Sequence, residues 1–367
     1  MSRRWHRVGP DDRGVSARPL LITGATGFLG RHLLDVLARE RPDAPLVVLA
    51  RDRRTWDSAD WRPQLTNVVV LEGTIERADL WSDSAALTGL GGIFHLAASL
   101  NHRRSSEFDQ EQADIDGAES MVRLAAKHGA RVIAISTSGT VGCSTDPNAR
   151  PDDDAPFCEA AVAVWPYYRG KIEAERVTRV RADALGVSLV TLRPPVLFGP
   201  GDHRAHSTRH IRRFLRGRLP FVVAGGMHFV DVRDVASAML RAMQHQTPRP
   251  VYNLPGHQST IREFFGLVAE LAERRPPRIQ LPVNVAWWLA TLLAPLKVLP
   301  EPMSVEMASR HWGISSRYAE RDLAHRPRPA RETLRETVRW LQEESESVGG
   351  VGISLQGPPS TRRTLNG

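Results

Sequence analysis

Two hydrophobic rhythms alternate through the N-terminal half of the chain. Short continuous apolar runs occur at Leu20–Ile22, Leu46–Ala50, Val68–Leu71, Ile93–Ala98, Arg131–Ser136 and Val187–Leu192. They are too short for stable helices and apolar at consecutive positions, which is how strands buried on both faces read. Between them the spacing changes to that of a helix: Leu33, Leu34 and Leu37 share a face within Arg31–Glu40. Phe108–His128 carries Met121, Val122, Leu124 and Ala125 at the same spacing, and Lys171–Leu185 is also helical. Strand–helix alternation of this kind predicts an α/β fold, a Rossmann doubly wound parallel sheet.

After Arg193 the rhythm breaks. Pro194–Asp202 is a turn-rich exit from the sheet, followed by a basic helical piece at Arg209–Arg218. A short strand at His228–Val232, a helix at Arg233–Gln244 and a strand at Val251–Leu254 come next, and Thr260–Glu344 reads as mostly helical with proline breaks. The predicted organisation is a dinucleotide-binding domain over residues 18–200, with 229–254 returning to it, and a smaller, mostly helical substrate lobe over 201–228 and 255–344. Residues 1–17 and the Gly-, Ser- and Pro-rich stretch 345–367 read as disordered extensions.

Composition narrows the class. Hydrophobic content of 41% and charged content of 25% are those of a soluble globular protein. Only Cys143 and Cys158 are present, which rules out a disulfide framework and suits a reducing, cytoplasmic setting. They do not form a metal-binding pattern. Met1–Arg18 lacks the apolar centre of a secretory signal, and no apolar run is long enough to span a membrane. The net charge is +8, but the arginines are scattered without aromatic interleaving, so nucleic-acid binding is not indicated. Of 49 basic residues only Lys127, Lys171 and Lys297 are lysine.

The first strand runs into Thr23-Gly24-Ala25-Thr26-Gly27-Phe28-Leu29-Gly30 and then into a helix. A strand, glycine turn and helix aim backbone N–H groups and the positive helix end at a phosphate. Gly24 permits the turn, Gly27 the approach of a diphosphate, and Gly30 close packing of helix on strand. The second chemical signal is Ser136-Thr137-Ser138 at the carboxyl end of the fifth strand, with Tyr167 and Lys171 opening the next helix. Residues four apart share a helix face. A tyrosine titrates near about 10, and a neighbouring ammonium lowers that value, so Lys171 is expected to tune Tyr167 as an acid/base. A lysine kept here, in a chain that otherwise uses arginine, supports the pairing, because arginine cannot be tuned in the same way.

These pieces together resemble the extended short-chain dehydrogenase/reductase superfamily, on its epimerase/dehydratase-like branch. The resemblance also rests on His95-Leu96-Ala97-Ala98, Leu192-Arg193-Pro194-Pro195-Val196, Phe229–Ala236 and Arg326–Leu341, and covers about residues 18–343. It implies Tyr167 as catalytic acid/base, Lys171 as its partner, and Ser138 (or Thr137) as the polarising hydroxyl. It implies cofactor contacts from Gly24, Thr26, Gly27, Phe28, Leu29, Gly30, Arg51, Thr74, Ile75, Ala97, Ala98, Tyr167, Lys171, Pro194 and Val196, and no metal. A homodimer through the helices near residues 108–128 and 166–185 is also suggested by the resemblance. Three positions depart from the family pattern: Thr74 replaces an aspartate, Asp114 an asparagine, and the tyrosine near Val141-Gly142 is missing.

The end of the second strand, Ala50-Arg51-Asp52, bears on the cofactor. An acidic side chain there suits NAD, whereas Arg51 suits the 2′-phosphate of NADP(H). A one-residue slip would place Asp52 at the ribose and leave NAD(H) open. The residues after Ser138 are Gly139 and Thr140, without the acid of a sugar dehydratase. The pattern looks most like the dihydroflavonol-reductase and 3β-hydroxysteroid-dehydrogenase side, which implies carbonyl reduction or the reverse oxidation. A nucleotide-sugar epimerase is the alternative, and a non-catalytic NADP-binding protein a third reading. Two further stretches each have two readings. Val285–Leu296 is a core helix of the lobe, or else a pocket wall or membrane-surface contact. The basic run from His203 to Arg213 meets an anionic substrate group or is a solvated face.

Overall fold

The computed structural model describes residues 18–59, 61, 65, 67–97, 107–293 and 301–349. The predicted N-terminal extension, Ala98, Ala294–Leu296, Lys297 and the chain beyond Gly349 lie outside the described residues. Six predicted strands form in order: β1 (Leu20–Thr23), β2 (Leu46–Ala50), β3 (Val68–Glu72), β4 (Gly92–His95), β5 (Arg131–Ile135) and β6 (Leu189–Arg193). Three short strands follow, β7 (Val196–Phe198), β8 (Phe221–Val223) and β9 (Gly226–Asp231), before β10 (Val251–Asn253) returns beside β6. The resulting parallel sheet has the order β10-β6-β5-β4-β1-β2-β3. The order in which strands are added reverses between β1 and β4, and the carboxyl ends there open a crevice.

The continuous apolar strands are explained by a core on each face. Leu20, Ile22, Leu46 and Val48 point into one, and Leu21, Val47 and Leu49 into the other. Helices α1 (Phe28–Glu40), α2 (Glu107–His128) and α3 (Pro166–Leu185) follow β1, β4 and β5. Two more, α4 (Arg209–Leu215) and α5 (Val232–Gln244), come later. The α1 and α5 pair covers the first face, where Leu33, Leu34 and Leu37 are fully buried, each stabilising by roughly 1.5–3 kcal/mol. The α2 and α3 pair covers the second. Pro166 occupies the first turn of α3, where a missing N–H is harmless, and Gly186 at φ +63° ends the helix.

The lobe contains more strand than its sequence suggests. β11 (His257–Thr260) joins a three-stranded sheet of order β11-β9-β7. It leads into α6 (Ile261–Leu271) through a capping box of Thr260 and Glu263. β12 (Ile279–Leu281) pairs with β8, and α7 (Val283–Leu292), α8 (Pro302–Ala308) and α9 (Ala330–Gly349) complete the lobe. Strands of three or four residues show no readable period, which is why a mostly helical segment was expected. The tail expected from Ser345 begins inside α9: Glu344 is held by His203 at 3.5 Å and by Arg212, and the Ser345 hydroxyl donates to the Leu341 carbonyl at 2.8 Å.

Candidate active site

A cleft of about 610 Å³ runs along the carboxyl ends of the parallel strands and under the lobe. Every described candidate from the sequence lines it: Gly24, Thr26, Gly27, Phe28, Leu29, Gly30, Arg51, Thr74, Ile75, Ala97, Ser138, Tyr167, Lys171, Pro194 and Val196. Ala98 is outside the described residues.

At one end the cleft is bordered by the glycine turn. Gly24 sits at φ +73°, and a Cβ there would lie 2.8 Å from the Ala97 nitrogen. A Cβ at Gly30 would overlap the Gly24 carbonyl oxygen. The Gly27 N–H donates to the Gly24 carbonyl at 2.9 Å and closes the turn. Helix α1 then starts with no side-chain cap and no acidic residue in its first turn. Its positive end faces the cleft, which fits the diphosphate of a dinucleotide.

Arg51 follows β2 directly and lines the cleft, whereas Asp52 turns away. The Asp52 carboxylate accepts from the Arg54 N–H at 2.8 Å and from Thr55 Oγ1 at 3.4 Å, capping the short helix Arg53–Asp57. Of these two neighbours Arg51 lines the cleft and Asp52 is engaged as a helix cap. Thr74 and Ile75 are positioned by Trp81, whose indole N–H donates to the Thr74 carbonyl at 2.8 Å. Arg31 also lines the cleft, with its guanidinium 4.2 Å from the Trp61 ring. Sequence reasoning passed over Arg31, although its place after the third glycine was a usable signal.

The three hydroxyls after β5 divide their work. Ser136 donates to Glu175 at 2.8 Å, and Glu175 is paired in turn with Arg193, both side chains being 5% exposed. Thr137 accepts from the Gly139 N–H at 3.2 Å as a cap. The Ser138 side chain makes no hydrogen bond to the described residues and lines the cleft, which separates it from Thr137. Nearby, Thr23 Oγ1 accepts from the Leu96 and Ala97 N–H groups, both at 3.2 Å, and lies 3.0 Å from His95 Nδ1. Thr23 therefore donates to Nδ1, leaving the ring proton on Nε2. Burial and then the Lys171 charge lower His95 to about 4, so it is neutral near pH 7.

Tyr167 and Lys171 share the cleft face of α3, with the Lys171 nitrogen 5.9 Å from the Tyr167 ring. The expected lowering of the tyrosine is not found. Burial, and then the Asp114 carboxylate, push Tyr167 up to about 12. The ammonium of Lys171 is engaged by Asp114 at 3.4 Å, both side chains being mostly shielded from solvent. In this geometry the Tyr167 hydroxyl keeps its proton at neutral pH.

The other end of the cleft is apolar. Tyr168 stacks on Trp312 with ring centres 5.0 Å apart and planes at 28°. Gly139 is required there because the Tyr168 ring fills the space of a Cβ. His228 accepts the Gly256 N–H on Nε2 at 2.9 Å and so donates from Nδ1 to the Trp312 carbonyl, 3.1 Å away. Burial lowers it to about 4, so it supports the wall as a neutral ring. Met227, Ile261, Met307 and Ala308 complete this wall. None of the wall residues from the lobe carried a sequence signal.

The basic run splits in two. The buried Asp202 carboxylate accepts three backbone N–H groups and the Thr208 hydroxyl, fixing the loop. Arg212 turns to Glu344 and the Trp340 ring; His203 meets the same two residues but also lines the cleft, as do Arg204, His206, Arg209 and His210. Helix α7, within the apolar stretch, does not line it. Among the described residues no group of His, Cys, Asp and Glu is arranged to hold a metal.

The sequence pattern described as the NAD dependent epimerase/dehydratase family matches residues 20–254. Among curated proteins, the chain is 28% identical over 343 residues to sterol demethylase protein B of Methylococcus capsulatus, covering 88% of this chain and 98% of that one. It is 26% identical over 337 residues to a putative dihydroflavonol 4-reductase of Synechocystis, covering 88% and 94%. Among solved structures, dTDP-glucose 4,6-dehydratase from Bacillus anthracis in complex with NAD has the same fold, with a TM-score of 0.70 at 15% identity over 90% of this chain and 98% of that one.

Proposed function

The chain belongs to the NAD dependent epimerase/dehydratase family, and from that premise we propose that it is an NADP(H)-dependent oxidoreductase. It reduces a ketone or aldehyde, or oxidises the matching secondary alcohol, on an apolar, ring-containing molecule. The observation that carries this reading is the meeting of Ser138, Tyr167 and Lys171 in one cleft with the glycine turn. A nicotinamide dinucleotide held by the glycine turn and Arg51 would supply or accept the hydride. Ser138 donates a hydrogen bond to the substrate oxygen, and Tyr167 passes its proton to that oxygen as the alcohol forms. Lys171 then stabilises the phenolate left behind.

The choice of NADP(H) over NAD(H) rests on Arg51, which lines the cleft while the Asp52 carboxylate is occupied in a cap. A guanidinium matches a 2′-phosphate in charge and geometry. The substrate class rests on the Tyr168–Trp312 wall, and the sterol and dihydroflavonol in the names of the matched relatives agree with it. A homodimer through α2 and α3 goes with this reading, since Val180 and Leu185 are exposed on α3.

The test is NADPH consumption by the purified protein against a panel of aldehydes, steroid ketones, flavonoids and nucleotide sugars. Turnover of an apolar carbonyl with NADPH is the expected result. A second reading, a nucleotide-sugar epimerase, is favoured by Arg204, His206, Arg209 and His210 at the cleft. Tightly held NAD in the purified protein and turnover of a nucleotide sugar without added reductant would select it.

A further inference from the structure

Helix α7 has apolar residues on its outward face as well as on its packed one. Its fully buried side chains are the small Ala286 and Ala290, packed with Phe221, Val223 and Val305, and Val283 and Trp287 lie partly buried against the same cluster. Three of its large apolar residues point outward: Val285 is 42% exposed, Trp288 68% and Leu292 74%. These three are spaced i, i+3, i+7, which places them on one helix face. Just before the helix, Ile279 is 54% exposed on the edge of the β12 pair. A contiguous apolar surface of this kind on a folded chain marks a contact site.

The charge around it says what the contact is. Between Glu273 and Leu293 the chain has three arginines, Arg274, Arg275 and Arg278, and one carboxylate, Glu273, a net positive charge. All three are exposed and none is in an ion pair with a described residue. Exposed tryptophan and leucine beside unpaired cations are the chemistry of an anionic bilayer surface, where the ring and aliphatic chain enter the headgroup boundary and arginines meet lipid phosphates. No helix among the described residues is long and apolar enough to cross a membrane, so the contact is with the surface. We propose that the outward face of α7, with Arg274, Arg275 and Arg278, docks this protein on an anionic lipid bilayer. Helix α7 packs on α8, whose Ser304, Met307 and Ala308 line the cleft. Docking therefore puts the bilayer one helix away from the apolar wall. The proposal stands apart from the assigned reaction, because it needs no turnover to be tested.

The experiment is co-sedimentation of the full chain with phosphatidylcholine vesicles, with and without phosphatidylglycerol. Binding to the phosphatidylglycerol vesicles alone, weakened by salt, is the expected result. Trp288→Ser with Leu292→Ser should lower the bound fraction about tenfold or more. Replacing the three arginines by serine should remove the preference for anionic lipid. Both variants alter exposed positions, and circular dichroism confirms that they remain folded. Failure of the wild type to bind anionic vesicles, or undiminished binding by the folded Trp288→Ser/Leu292→Ser variant, overturns the proposal. So does conversion of a dimer to a monomer by that variant in light scattering, which would assign the face to a second copy of this chain.

Discussion

The two ends of the cleft are made of different materials. The cofactor end is organised by backbone, the turn at Gly24 and the uncapped start of α1, with side chains such as Arg31, Arg51, Thr74 and Ile75 lining it from nearby. The substrate end is mostly side chain, assembled from Tyr168, Met227, Ile261, Met307 and Trp312, which four separate segments of the lobe and one helix of the sheet domain bring together. A backbone site demands particular glycines at particular spacings, because any Cβ collides with a fixed carbonyl or amide. A side-chain wall demands only shape and polarity, so its residues can change without disturbing the chemistry between the two ends.

Four substitutions break or sharpen this contrast. Tyr167→Phe sits where the two ends meet and should reduce kcat by roughly 10²–10⁴-fold while leaving NADPH affinity intact, as measured by turnover and by cofactor fluorescence. Unchanged turnover would remove Tyr167 from the chemistry. Arg51→Ala acts on the cofactor end alone. It should weaken NADPH binding by roughly 10–100-fold and leave NADH unchanged, since a charge-assisted contact to phosphate is lost. Equal effects on both cofactors would refute the 2′-phosphate role. Trp312→Ala acts on the substrate end, where loss of the stacked wall should raise KM for an apolar carbonyl about tenfold without altering the Kd of NADPH.

The smallest effect is expected from Asp114→Asn. Asp114 raises Tyr167 and also engages Lys171. Removing its charge favours the phenolate, so Tyr167 should titrate lower. Alcohol oxidation requires the phenolate, and its rising pH limb should therefore move to lower pH, by about one unit or less. A limb that stays in place would mean that burial alone sets the tyrosine.

Most of the cofactor end was legible in the sequence because its determinants are local. Gly24, Gly27 and Gly30 announce their turn, and Tyr167 and Lys171 announce a shared helix face, within a few residues of each other. The parallel strands were legible for a similar reason: burial on both faces demands continuous apolar runs, as in Leu46–Ala50. The short strands β8 and β12 were not, since three residues have no period and only their pairing across the lobe makes them strands. Trp312 was not legible either, because its role comes from Tyr168, to which it is joined in space and not in sequence.

By itself, then, the sequence determined the parallel sheet, the glycine turn after its first strand, and the placing of Tyr167 and Lys171 on one helix face. The tertiary structure alone decided between local alternatives that composition leaves equal. It turned Asp52 into a cap and left Arg51 to the cleft, committed Ser136 and Thr137 elsewhere and left Ser138, and divided the basic run between Glu344 and the cleft. It also reversed the expected sign on Tyr167, because burial and the neighbouring carboxylate outweigh an ammonium that Asp114 already holds. Spacing along a chain reports which side chains share an element. Burial and partner charges depend on elements distant in sequence, and they set what those side chains can do.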